Sequence, residues 1–162
     1  MMMTPAERYC KLIALTRRPV LDESYHAAFY LLSMDDTLFK RACPYISNNG
    51  VDFAAMKRKC SDLEYTQKHL LSIAHNLFSW SSKCTATPHN IACFGYPMLD
   101  YVCSAFYIAN GTVRVQVQEN ENGRSEFKLD MSRYEQSKKM YEKMFNPASW
   151  PQDMESQGFE PE

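Results

Sequence analysis

The spacing of apolar residues changes after residue 109 from a helical repeat of about 3.6 residues to a strand repeat of two. Up to residue 109, apolar side chains return at every third or fourth position. After that point Val113, Val115 and Val117 alternate with polar residues, and a second alternating run follows an Asn-Gly pair that favours a tight turn. The pattern predicts an α+β, predominantly α fold: a bundle-like domain of five or six helices with one β-hairpin over about residues 112–130.

The longest helical repeat lies within residues 62–80, and we expect that helix to be central to the core. Its apolar face is predicted to carry six residues: Leu63, Leu70, Ile73, Ala74, Leu77 and Trp80. Most of the other helical repeats follow a residue that commonly caps a helix N-terminus. These predicted caps are Thr4, Asp22, Asp35, Asp52 and Asp130.

The chain divides by composition into residues 1–146, predicted to form one globular α-rich domain, and an acidic tail over residues 147–162. The tail contains three prolines, and between residues 150 and 162 it has four acidic residues and no Lys or Arg, a local charge of −4. Segments of this composition are usually solvated chain ends. No internal repeat and no second domain boundary are visible in the sequence.

Charge argues against a nucleic-acid-binding function, because 18 Lys and Arg oppose 19 Asp and Glu and give a net charge of −1. The five glycines form neither G-x-G-x-x-G nor G-x-x-x-x-G-K-[ST], so the sequence offers no recognisable phosphate cradle. We therefore expect no cofactor, while a small-molecule ligand stays open.

The N-terminal residues lack the pattern of a signal peptide, and no window of about 18 apolar residues predicts a membrane span. The six cysteines are spread along the chain, several of them inside helical repeats. Without a secretory signal, reduced thiols are the better expectation. The sequence thus predicts a cytoplasmic protein without a membrane partner.

The cysteine and histidine residues suggest an alternative function, that of a small Cys/His-dependent enzyme or metal-binding protein. Cys84, His89 and Cys93 are weak metal candidates, because structural zinc sites usually contain closely spaced cysteine pairs that are missing here. His75 falls on the polar side of the 62–80 helix, where a surface histidine is the ordinary expectation. No catalytic residue and no metal site are assigned from these patterns.

Three stretches carry a resemblance: HAAFYLLSMDD from His26, LLSIAHNLFSW from Leu70, and TPHNI from Thr87 with Leu99-Asp100 following. Over about residues 20–110 the chain resembles a group of small uncharacterised helical proteins of Gram-positive bacteria and their mobile elements. The resemblance implies a helical, cytoplasmic protein of bacterial origin and transfers no activity or site residue. It also leaves open a mobile-element protein that binds a nucleoprotein or inhibits a defence system.

The leading prediction is a non-enzymatic interaction or accessory protein of a bacterial cytoplasm. Its composition of 10 Met, 10 Tyr and 9 Phe is typical of adaptable packing surfaces. The predicted contact face combines the hairpin edge, represented by Val115, with the helix over residues 131–146, represented by Tyr134, Tyr141 and Met144. A protein partner or self-association as a homodimer would cover this face.

Overall fold

The computed structural model describes residues 2–146 and 148, and it confirms a predominantly α fold with β-hairpins. The predicted acidic tail lies outside the described residues except for Ala148. The helices are α1 (Pro5–Thr16), α2 (Glu23–Met34), α3 (Asp36–Ala42), α4 (Phe53–Lys59), α5 (Tyr65–Phe78), α6 (Pro88–Ala92), α7 (Met98–Ala109) and α8 (Ser132–Phe145). The strands are β1 (Ile46–Ser47), β2 (Gly50–Val51), β3 (Arg114–Glu119) and β4 (Ser125–Asp130).

The expected five or six helices become eight in the described part of the chain, joined by a 3₁₀ turn at Cys43–Tyr45. Three of them, α3, α4 and α6, have only five to seven residues. Such short segments complete at most two helical turns, so their apolar repeat is too brief to count reliably. The turn at Asn48 and Asn49 closes a second, two-residue hairpin between β1 and β2.

The centre of the core is α2, and the prediction that the 62–80 helix is central was wrong. Nine of the twelve residues of α2 are buried, and α1, α3, α5 and α7 all pack against it. A helix that is apolar on every side shows almost no difference in polarity between its faces. A search for periodicity therefore favours α5, which is apolar on one side only.

The 62–80 helix is shorter than predicted, since α5 begins at Tyr65, directly after its N-cap Glu64, and ends at Phe78. Ser79 has an extended backbone, with φ −138° and ψ 102°, so Trp80 lies beyond the helix. The prediction that Trp80 belongs to the apolar face was wrong, because the residue is 91% exposed.

Four of the five predicted helix caps are confirmed. The side chains of Thr4, Asp22, Asp35 and Asp52 each accept a hydrogen bond from the backbone N–H three residues further on. Asp130 instead accepts from the N–H of Ser132, two residues ahead, and α8 starts one position later without a side-chain cap. The carboxylate thus closes an Asx turn before the helix.

The predicted hairpin is confirmed with the expected sidedness. β3 and β4 pair antiparallel from Arg114 opposite Asp130 to Glu119 opposite Ser125, and Gly123 has the positive φ of +69° at the turn. The ring of Phe127 lies 5.4 Å from that of Tyr9 on α1 and 5.0 Å from that of Tyr30 on α2. The apolar side of the hairpin is therefore held on two helices.

Among the described residues, none of the helices has both the length and the apolar character that a bilayer crossing requires.

A buried arginine joins α1 to the end of α2. Arg8 is 5% exposed, and its guanidinium donates to the backbone oxygens of Ser33 at 2.7 Å and Met34 at 3.4 Å. These carbonyls belong to the last turn of α2, where no intrahelical N–H can reach them. Asp36 lies 3.8 Å from the same guanidinium and partly balances its charge.

We expect Arg8→Ala to lower the free energy of unfolding by about 2–4 kcal/mol, because it leaves buried carbonyls without a donor. Lys40 is the matched control, since it pairs with the same Asp36 at 2.6 Å but is 70% exposed. Lys40→Ala should cost less than about 0.5 kcal/mol. Urea unfolding of the two variants measures the difference, and equal losses would contradict a structural role for the buried arginine.

Candidate functional site

The last helix, α8, has an apolar side that contacts little of the protein. Its large apolar residues fall within an arc of about 140° around the helix axis: Tyr134, Met140, Tyr141, Met144 and Phe145. A helix with such an arc normally faces a core. None of the fourteen residues of α8 is buried.

The large apolar side chains of α8 are highly exposed. Met140, Tyr141, Met144 and Phe145 are between 59% and 65% exposed. Tyr134 is half-buried, because its ring meets that of Tyr107 on α7 edge-on at 5.3 Å.

A second contact fixes the start of α8, where Arg133 donates to the backbone oxygen of Gly111 at 3.3 Å. Gly111 follows the end of α7 with a φ of +80°, a conformation that glycine adopts without steric cost. Both contacts lie in the first turn of α8, so the remaining turns extend along the protein with their apolar side uncovered.

The exposed side of α7 continues this surface, since Phe106 and Tyr107 are each 42% exposed. Together the two helices line an open groove of about 630 Å³ between Phe106 and Tyr141. We call this surface the α7–α8 face, and define it by Phe106, Tyr107, Tyr134, Ser137, Met140, Tyr141, Met144 and Phe145. The exposed members of this face are Phe106, Tyr107, Met140, Tyr141, Met144 and Phe145. With about 200 Å² of surface for each large side chain, their exposed fractions add up to roughly 650 Å² open to solvent.

That area is larger than most apolar patches on monomeric proteins, whose largest patch usually measures about 300–600 Å². The patch also has the composition of an interface core, with aromatic and methionine side chains at its centre. Lys139 and Lys143 lie toward the opposite side of α8, whereas Lys138 borders the groove beside Tyr134 and Tyr141. The α7–α8 face is therefore an exposed, mainly apolar surface with an open groove.

The structure brings together three of the four interaction residues that the sequence predicted. Tyr134, Tyr141 and Met144 share the apolar side of α8. Val115 lies elsewhere: its half-buried side chain on β3 lines a separate pocket with Leu21, on the side of the hairpin that faces the core. The predicted contribution of the hairpin edge through Val115 therefore does not join the α7–α8 face.

Helical spacing places Phe145 on the same predicted stripe as Tyr134 and Tyr141, whereas sequence reasoning missed four members of the face: Phe106, Tyr107, Ser137 and Met140. The two residues of α8 follow the same three-and-four spacing as Tyr141 and Met144 and could have been found by completing the helical wheel. The two residues of α7 give no such signal, because α7 is rich in apolar residues around its whole circumference. Which side of α7 stays exposed depends on where α2 packs.

The three weak metal candidates do not meet. The Sγ of Cys93 lies 3.7 Å from Nε2 of the exposed His89, whereas Cys84 lies 3.8 Å from the hydroxyl of Ser72 and donates to the oxygen of Ala86. Across residues 2–146 and 148, no three His, Cys, Asp or Glu side chains form a group able to hold a metal ion.

His75 is half-buried rather than freely exposed, and its ring stacks on Phe53 at 4.8 Å with an interplanar angle of 12°. Its Nδ1 is buried and has no hydrogen-bond partner among the described residues. Burial, followed by the nearby charge of Lys57, lowers the pKa of His75 below its ordinary value of 6.5. Burial also lowers the pKa of Lys57, and the neighbouring Cys84 partly opposes that change.

Comparison with known proteins gives no match: no family model matches the chain, and neither a curated protein nor a solved structure does so significantly.

His75 should make the stability of the protein depend on pH. Because the pKa of His75 is lowered in the folded state, the unfolded chain binds more protons in the window below 6.5. The stabilising contribution of the neutral imidazole is thus complete above pH 6.5 and is lost as the pH falls through the folded-state pKa. His75→Phe keeps a ring on Phe53 and cannot titrate, so it should flatten this part of the profile.

The effect is measured by urea unfolding of the wild type and of two variants between pH 5 and pH 8, a range that spans the titration of an ordinary histidine. His89→Phe is the control, because His89 is exposed. The assignment is wrong if the two variants have the same profile as the wild type over this range.

Proposed function

We propose that this chain is a non-enzymatic interaction protein of a bacterial cytoplasm and that the α7–α8 face is its binding surface. One observation carries the proposal: α8 is an amphipathic helix whose apolar side has no buried residue. In folded proteins an apolar arc of this width is normally covered. A partner that docks on the face would cover it.

The energetics favour a partner, because α8 has little to stabilise it within the described part of the chain. Isolated helices of about 12–15 residues are marginal in water. Full burial of a large apolar side chain contributes about 1.5–3 kcal/mol. Four side chains of α8 retain more than half of their exposure, so docking would add several such contributions to the stability of the helix.

The α7–α8 face is also partly ordered before a partner binds, because the start of α8 is held against the rest of the protein. The Tyr107–Tyr134 contact and the Arg133–Gly111 hydrogen bond hold the first turn of α8 in place. A surface that is already ordered loses less conformational entropy when a partner binds. The exposed aromatic rings are the residue types that most often contribute strongly to binding free energy.

Placement in a bacterial cytoplasm is supported by the sequence resemblance and by the state of the cysteines. All six cysteines are free in the structure. Free thiols are usual for proteins in a reducing compartment.

The proposal is tested by site-specific photo-crosslinking in the cells from which the protein comes. A benzoylphenylalanine in place of Tyr141 should form a protein adduct on illumination, because the side chain lies at the centre of the α7–α8 face. The same group in place of Lys139, on the opposite side of the helix, should form none. The gel mobility and mass of the adduct give the measurement.

Circular dichroism of both substituted proteins provides the folding control. No adduct at position 141, or equal adducts at positions 141 and 139, would overturn the proposed function.

A further inference from the structure

We infer that the partner of the α7–α8 face is a second copy of this chain, docked through an antiparallel pair of α8 helices. The inference rests on the proposed function, since it names the occupant of the same surface. It is carried by the area of the face, by the spacing of residues along α8 and by the sizes of the side chains that would meet.

The area of the face is suited to a dimer. Stable interfaces bury about 800 Å² on each partner. The large apolar side chains of the face already present roughly 650 Å². The neighbouring polar atoms of α8, which are also exposed, would supply the remainder. A second copy therefore needs no additional surface to reach the usual interface size.

The spacing of residues along α8 is that of a helix that packs against a helix. Tyr134, Ser137, Tyr141 and Met144 are separated by three, four and three residues. These intervals match the a and d positions of a heptad repeat, which form the contact line between paired helices. An apolar contact line is complementary to itself, as a twofold dimer interface must be.

The sizes of the side chains select the antiparallel orientation. In an antiparallel pair of α8 helices, the twofold axis passes level with Lys139. Ser137 then lies opposite the partner's Tyr141, and Tyr134 lies opposite the partner's Met144. Each small or flexible side chain thus meets an aromatic ring. A parallel pair would instead place Tyr141 against the partner's Tyr141 and leave space between the two copies of Ser137. The antiparallel pair also opposes the helix dipoles favourably.

The charges on α8 predict opposite effects of salt on the binding of a second copy and of an acidic partner. Arg133, Lys138, Lys139 and Lys143 against Glu135 and Glu142 give the helix a formal net charge of +2. Two such helices repel one another weakly, and salt screens that repulsion. The dimer should therefore become tighter as the salt concentration rises, whereas an acidic partner would bind less tightly.

The experiment is sedimentation equilibrium of the purified full chain over a range of concentrations and at low and high salt. We expect twice the mass of one chain and a dissociation constant that falls with added salt. Ser137→Glu and Tyr141→Lys should each weaken the dimer by about 30-fold or more, as expected for a change at the centre of an interface. Gln136→Glu inserts the same acid beside Ser137 but away from the contact line, and should have little effect.

Mixing the two disruptive variants tests the antiparallel pairing directly. In an equimolar mixture the new acid at 137 lies opposite the new base at 141 of the other copy, so the mixture should dimerise more tightly than either variant alone. Circular dichroism confirms that each variant is folded. A mixture that dimerises no better than its components would overturn the antiparallel pairing.

A monomeric wild-type chain, or a dimer that salt weakens, would also overturn the second-copy inference. These failures are distinguishable from failure of the proposed function. A crosslinked adduct at position 141 that contains a different protein would keep the interaction surface and reject the second copy. The absence of any adduct would reject both.

Discussion

The burial of α2 is the constraint on which the rest of the fold depends. A helix that is apolar on almost every side has to be covered on every side, and α1, α3, α5 and α7 share that task. The hairpin completes it, since Phe127 packs on Tyr30 of α2. Arg8 then satisfies the carbonyls at the end of α2, where apolar neighbours offer no hydrogen bond.

The same constraint explains why α8 remains uncovered. The surroundings of α2 are already filled by helices and by the hairpin, and the first turn of α8 contacts the body through α7 and the turn at Gly111. Its apolar side thus extends a surface instead of closing a core. The exposure of α8 is the physical basis of the proposed function.

Local chemistry made part of this structure predictable from the sequence. The Thr4 helix cap and the Asn-Gly hairpin depend on neighbouring residues, and both were recognised. The apolar side of α8, including Tyr134 and Tyr141, followed from helical spacing alone.

What could not be predicted depends on contacts between distant parts of the chain. The central place of α2 was hidden because a helix buried on all sides shows little periodicity. The exposure of Trp80 depends on where α5 ends. The share of α7 in the α7–α8 face likewise became visible only once α2 had been placed.

Hydrogen–deuterium exchange of the full chain as a function of protein concentration tests the central claim most directly. If a second copy stabilises α8, its amide hydrogens should exchange more slowly at high concentration, while those of the buried α2 should not change. Exchange in α8 that is independent of concentration, and already as slow as in α2, would show that the helix needs no partner and would contradict the account.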